Sequence, residues 1–139
     1  MRKLLSAPLA AVLLALAQPA SGEDAIPGPA VGNFFPLSIA AEDQAGERRT
    51  LGELAGEQGL VLAFVRSADW CPFCQSQLAD LNRRSPEFEQ LGLNVVSISV
   101  DEVAEIAAFA QAQDIGYTML ADPGGDINGD LGIRDEQYP

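Results

Sequence analysis

Histidine is absent from all 139 residues. That omission removes imidazole general bases, histidine metal ligands and histidine-containing triads. Cysteine is nearly absent too, with only Cys71 and Cys74. A closed zinc site needs four ligands, commonly Cys and His, and an iron–sulfur cluster normally needs four cysteines. Haem attachment through C-x-x-C-H fails because Gln75 follows Cys74. No metal site is therefore expected. Basic residues are scarce, 8 against 20 acidic, for a net charge of −12. Nothing here builds the basic stripe that phosphates require, which argues against nucleic acid as a partner.

Long apolar runs are also missing after the N-terminus. Arg2 and Lys3 precede a stretch from Leu4 to Ala17 that only Ser6 and Pro8 interrupt. Gln18-Pro19-Ala20-Ser21-Gly22 and the acidic Glu23-Asp24 follow. A basic start, a short apolar core and small residues are the form of a secretory signal. The run is shorter than the ~20 residues of a spanning helix. No cysteine follows it to carry a lipid. Residues 1–22 are thus expected to be a signal peptide, with cleavage after Gly22 and Ala15-Leu16-Ala17 as second choice. Residues 23–139 would then form one exported domain, periplasmic or secreted, touching the membrane only if the N-terminal segment is retained. Thiols in such compartments tend to be oxidised.

What the chain does have is Trp70-Cys71-Pro72-Phe73-Cys74, directly after the apolar run Leu60 to Val65. A disulfide closing two intervening residues constrains little of the unfolded chain, so a purely structural staple is a poor use of the pair. Redox chemistry of the pair itself remains, with no further cofactor.

The surrounding pattern gives an α/β order. Breakers Pro27 to Pro36 mark a loop, and Phe34, Leu37 and Ile39 begin an extended segment. Glu42 to Glu47 reads as a turn. Thr50 caps a short helix, Leu51 to Ala55, with Glu53 in its first turn. Leu60 to Val65 lacks polar alternation, which predicts a strand buried on both faces. Cys74 to Arg84 is helical, with a stripe of Leu78, Leu81, Phe88 and Leu91, and Pro86 is expected to kink or restart the helix. Leu93 to Val100 is the next strand. Asp101 is expected to cap a helix running to Gln113, with Val103, Ile106, Ala107 and Ala110 inward. Tyr117 to Ala121 is a third strand, and a short helix follows the turn Asp122 to Gly125. Asp126, Asn128 and Asp130 have the spacing of a calcium loop's first ligands, but Leu131 and Gln137 stand where glycine and glutamate belong. Capping and turn chemistry explain them more simply.

Strand, helix, strand, helix, strand is the order of a parallel sheet with right-handed crossovers, whose active groups gather at the carboxyl ends of strands. Cys71 falls there. Backbone N–H groups at a helix start stabilise a thiolate, so Cys71, expected to be the more exposed, is the candidate nucleophile. Cys74, one turn on, is the candidate resolving residue. Pro72 suits the first helical turn. With no histidine between the cysteines, a moderate potential is expected. Trp70, Pro72 and Phe73 are candidate substrate-contacting residues, with packing against the sheet end as Trp70's other reading. Arg66 reads as a surface arginine.

The stretch Phe64 to Gln75 resembles the active site of the thioredoxin-like superfamily. With Thr50 to Leu54, Val96 to Asp101 and Leu120 to Pro123, it is most similar to redoxins of the alkyl hydroperoxide reductase/thiol-specific antioxidant (AhpC/TSA) family. The resemblance covers roughly residues 32–133. It implies a thioredoxin-like α/β fold with a mostly parallel central sheet flanked by helices. It also implies a cis-proline, two strands and a helix after the last residues given, so the C-terminus is expected to be incomplete and the edge of Leu60 to Val65 unpaired. Peroxiredoxins carry proline seven and threonine or serine three residues before their reactive cysteine. Here those positions are Phe64 and Ala68. The expected activity is therefore exchange with protein thiols or disulfides, fed by an unidentified electron donor. Thiol-dependent peroxidase activity is the alternative, and a truncated, non-catalytic domain the third reading.

Overall fold

A computed structural model describes residues 28–134. The expected signal segment and the terminal Gln137-Tyr138-Pro139 lie outside the described residues. The elements run β1 (Ala40–Asp43), β2 (Arg48–Thr50), α1 (Leu51–Leu54), β3 (Gly59–Phe64), α2 (Pro72–Gln90), β4 (Leu93–Ser99), α3 (Val103–Gln113), β5 (Thr118–Ala121) and α4 (Asp126–Asp130). The sheet order is β2-β1-β5-β4-β3. Strands β3, β4 and β5 are parallel, and β1 and β2 join antiparallel. This is the thioredoxin-like α/β arrangement, a mixed, mostly parallel sheet with flanking helices.

Local chemistry explains the first elements. Thr50 and Glu53 form a reciprocal capping box, Glu53 N–H donating to the Thr50 hydroxyl and Thr50 N–H to the Glu53 carboxylate. The bonds from Thr50 hold the exposed Glu53 carboxyl below the usual carboxylate range. Gln44 extends the β1–β5 pairing with its side chain. Its amide donates to the Tyr117 carbonyl at 3.0 Å and accepts from Met119 N–H at 2.9 Å.

The sheet separates two apolar clusters. One, under α2 and α3, holds Val65, Cys71, Cys74, Leu78, Val95, Ile106, Phe109, Tyr117 and Met119. The other, on the face of α1, holds Ala41, Leu51, Leu54, Val96, Ile98 and Leu120, with Leu60, Leu62 and Phe64 against it. Alternate residues of β3 thus serve opposite faces, since successive strand side chains point to opposite sides. Yet β3 is half-buried along its whole length. Among the described residues it pairs with β4 alone, so the sheet ends there.

Three local expectations change. Pro86 does not restart α2, which runs on through it. A helical proline orphans the carbonyl four residues back. That carbonyl belongs to Asn82, and the Ser85 hydroxyl donates to it at 3.1 Å. Leu91 follows the last helical residue and is exposed rather than part of the stripe. Asp101 does not cap α3. The cap is Glu102, whose N–H donates to the Glu105 carboxylate at 2.9 Å. Asp101 is turned inward instead, at 3% exposure.

Candidate functional site

The chain leaves the carboxyl end of β3, makes one more sheet bond (Val65 N–H to the Ile98 carbonyl, 3.0 Å) and turns through residues 66–70 into α2. Asp101, just past β4, holds this turn. Its carboxylate accepts from the Ser67 hydroxyl at 2.6 Å, from Ala68 N–H at 2.6 Å and from the Ser99 hydroxyl at 2.7 Å. Ser67, fully buried, passes the constraint on by accepting from Asp69 N–H at 2.9 Å and Trp70 N–H at 3.0 Å. Gln75 closes the turn from the helix side, donating to the carbonyls of Ala68 and Asp69. Sequence reasoning missed Asp101, Ser67 and Ser99. The available signal was Ser99-x-Asp101, polar residues ending a buried strand on the side where the parallel sheet gathers its active groups.

The pinned turn delivers Cys71 to the N-cap of α2, with Pro72 next. Cys71 and Cys74 are disulfide-bonded, their Cα atoms 5.2 Å apart. Cys74 N–H points at Cys71 Sγ, 3.3 Å away. This is the geometry in which a helix start favours negative charge on sulfur. The expectation that Cys71 is the more exposed is overturned: it is 2% exposed and Cys74 7%. A cap side chain folds back over the first turn, and here that turn sits on Val65, Ala68 and Leu78. Around the buried sulfurs, Trp70 is 57% exposed, Phe73 86%, and Pro72 exposed as well. Trp70 thus lies on the rim and outside the core. Arg66 is exposed, as a surface arginine is, but its Nη2 stands 3.7 Å from Cys71 Sγ and its guanidinium carbon 5.2 Å from the centre of the Trp70 ring.

Tyr117, the residue just before β5, shares the buried cluster with the pair. Its hydroxyl donates to the Leu78 carbonyl in α2 at 3.2 Å. Burial pushes its phenol up to about 12, with the Ser97 hydroxyl offsetting a part. The neutral phenol is therefore favoured in the folded chain, and its contribution is intact below the unfolded value of about 10. It is lost as pH rises from there through about 12. Urea midpoints measured across that window should fall for the parent and fall less for Tyr117→Phe.

Among the described residues, no group of three or more His, Cys, Asp or Glu side chains is placed to hold a metal ion. Asp126, Asn128 and Asp130 are wound into α4.

With this geometry in view, the similarities to known proteins are specific. The AhpC/TSA family model matches residues 31–139. A chloroplastic peroxiredoxin Q of Suaeda salsa is 27% identical over 104 residues, which are 75% of this chain and 48% of that protein. The chain spans about half the length of the curated relatives it matches. The crystal structure of a peroxidoxin, BcpB, of Mycobacterium tuberculosis aligns at a TM-score of 0.62 and 29% identity, over 76% of this chain and 65% of that one. A secreted Mycobacterium tuberculosis disulfide oxidoreductase homologous to Escherichia coli DsbE shares the fold at a TM-score of 0.59 and 23% identity, over 72% of each chain.

Proposed function

Because the chain belongs to the AhpC/TSA family, we propose that it is a thiol-dependent peroxide reductase working through Cys71 and Cys74. The carrying observation is the burial of Cys71 at a helix N-cap. A hydroperoxide group is small enough to reach such a sulfur. A protein disulfide must bring two bulky chains to it. Kinship with peroxiredoxins supports the same order, which reverses the expectation drawn from Phe64 and Ala68.

In this reading the Cys71 thiolate attacks the outer peroxide oxygen. The O–O bond breaks, Cys71 becomes a sulfenic acid, and the alcohol or water leaves after taking a proton. The Cys74 thiol then attacks the Cys71 sulfur and water departs, leaving the disulfide. An external dithiol returns two electrons and is itself oxidised. Export remains part of the proposal, carried by Arg2-Lys3 and the apolar stretch to Ala17.

The second reading, exchange with protein thiols or disulfides, is favoured by one observation. The exposed rim of Trp70, Pro72 and Phe73 offers an apolar face to an extended chain. One comparison separates the two. The reduced protein is given a hydroperoxide in one assay and oxidised insulin in another. Peroxide consumption about 100-fold faster than by a free thiol, the scale of one positioned electrostatic contact, supports the first reading. A free-thiol rate with brisk insulin reduction replaces it with the second.

A further inference from the structure

Arg66 is a cation in the turn that carries the disulfide. Its Nη2 stands 3.7 Å from the reacting sulfur, and its guanidinium carbon lies over the Trp70 ring, 5.2 Å from the centroid. A guanidinium over an indole ring keeps its charge while losing freedom, because the ring face is the negative pole of the aromatic quadrupole. From these two contacts we propose that Arg66, held over the Trp70 ring, is a catalytic residue that neutralises the Cys71 thiolate. Trp70 is its positioning platform, and this is a role distinct from docking substrate.

The chemistry is consistent at both steps where Cys71 carries negative charge. Before attack on peroxide, an adjacent cation raises the fraction of thiolate. During regeneration, a reductant that attacks Cys74 expels Cys71 as a thiolate, and a stabilised thiolate leaves faster. The charged groups nearby do not cancel this. Asp101 is committed to Ser67, Ala68 and Ser99, and Asp122, beyond β5, faces the N–H groups of Ile127 and Asn128. Asp69, in the same turn, is exposed to solvent, where its charge is screened. The sequence carries no other positive residue from Leu51 to Asn82. The helix start adds its share through Cys74 N–H.

The inference rests on Cys71 being the attacking sulfur, but its test needs no peroxide. In a Cys74→Ser background only one thiol titrates, and thiolate absorbance against pH reads it directly. Arg66→Met should raise that midpoint by about one unit, the scale of an opposite charge within hydrogen-bond range. Trp70→Leu should raise it by less, and adding Trp70→Leu to Arg66→Met should change nothing more, because the platform acts only through the guanidinium. Arg66→Lys, which keeps the charge but not the planar guanidinium with its several donors, should fall between parent and Arg66→Met. Circular dichroism accompanies each titration, and if Arg66→Met does not fold, the Arg66→Lys and Trp70→Leu midpoints decide. Parent-like midpoints across the folded variants would overturn the proposal. Equal and additive shifts from Arg66→Met and Trp70→Leu would overturn the platform role. Failure of peroxide turnover with shifted midpoints would sink only the peroxidase reading.

Discussion

Cys71→Ser should reduce hydroperoxide consumption to the level of buffer, a loss on the order of 1000-fold or more, as expected when a covalent nucleophile is removed. Cys74→Ser should behave differently. It keeps the first chemical step, so a reduced sample consumes about one equivalent of peroxide and then stalls. Mass spectrometry should find one added oxygen on Cys71, because no thiol remains three residues on to displace it. Added small thiol should restart turnover by attacking the sulfenic acid in place of Cys74. The asymmetry follows from position. Cys71 caps α2 and receives the Cys74 N–H, whereas Cys74 lies inside the first turn, where its own backbone is already committed. Two variants that lose activity equally, with no oxygenated Cys71, would instead match disulfide exchange. In that chemistry Cys74→Ser traps a mixed disulfide with a protein substrate.

The second large effect concerns stability. Asp101→Ala should destabilise the fold by about 3–5 kcal/mol, the range for removing one member of a buried charged network. The carboxylate serves three donors, and its loss leaves the Ser67 hydroxyl, Ala68 N–H and Ser99 hydroxyl without it in a site at most 3% exposed. Such a cost is a large part of the roughly 5–15 kcal/mol that holds an ordinary domain together. Urea unfolding should show a lower midpoint with little change in slope. Asp69→Ala, two residues from Ser67 but exposed, should stay within about 0.5 kcal/mol. A drop below about 1 kcal/mol for Asp101→Ala would show that the turn holds itself without the carboxylate.

Legibility divides along the range of the signal. The capping box at Thr50 and Glu53 spans three residues, and both partners are visible in the chain. The run from Leu60 to Val65, the apolar strand from Leu93 and the order of elements identified the parallel sheet and placed Cys71 at a strand end. The restart expected at Pro86 did not occur, and its remedy lay next door: a serine before a proline can satisfy the orphaned carbonyl, but only its rotamer decides. Asp101 was misread because a local rule, acid before a helix, competed with a contact 33 and 34 residues away in sequence. Glu102 offered α3 an equivalent start, which freed Asp101 to turn inward.

The amino-acid sequence by itself determined the chemistry available to this protein: two sulfurs three apart, no histidine, a helix beginning between them, and a sheet to present them. Those properties depend on composition and near-neighbour spacing, which no packing can alter. Tertiary structure alone decided how that chemistry is presented. It buried Cys71 more deeply than Cys74, brought Arg66 close to both Trp70 and the sulfur, and tied the turn to the end of β4. Each of these depends on which way a side chain faces once distant strands lie side by side. That direction is set by the competition for buried hydrogen-bond partners across the whole fold, and the linear order of residues does not encode it locally.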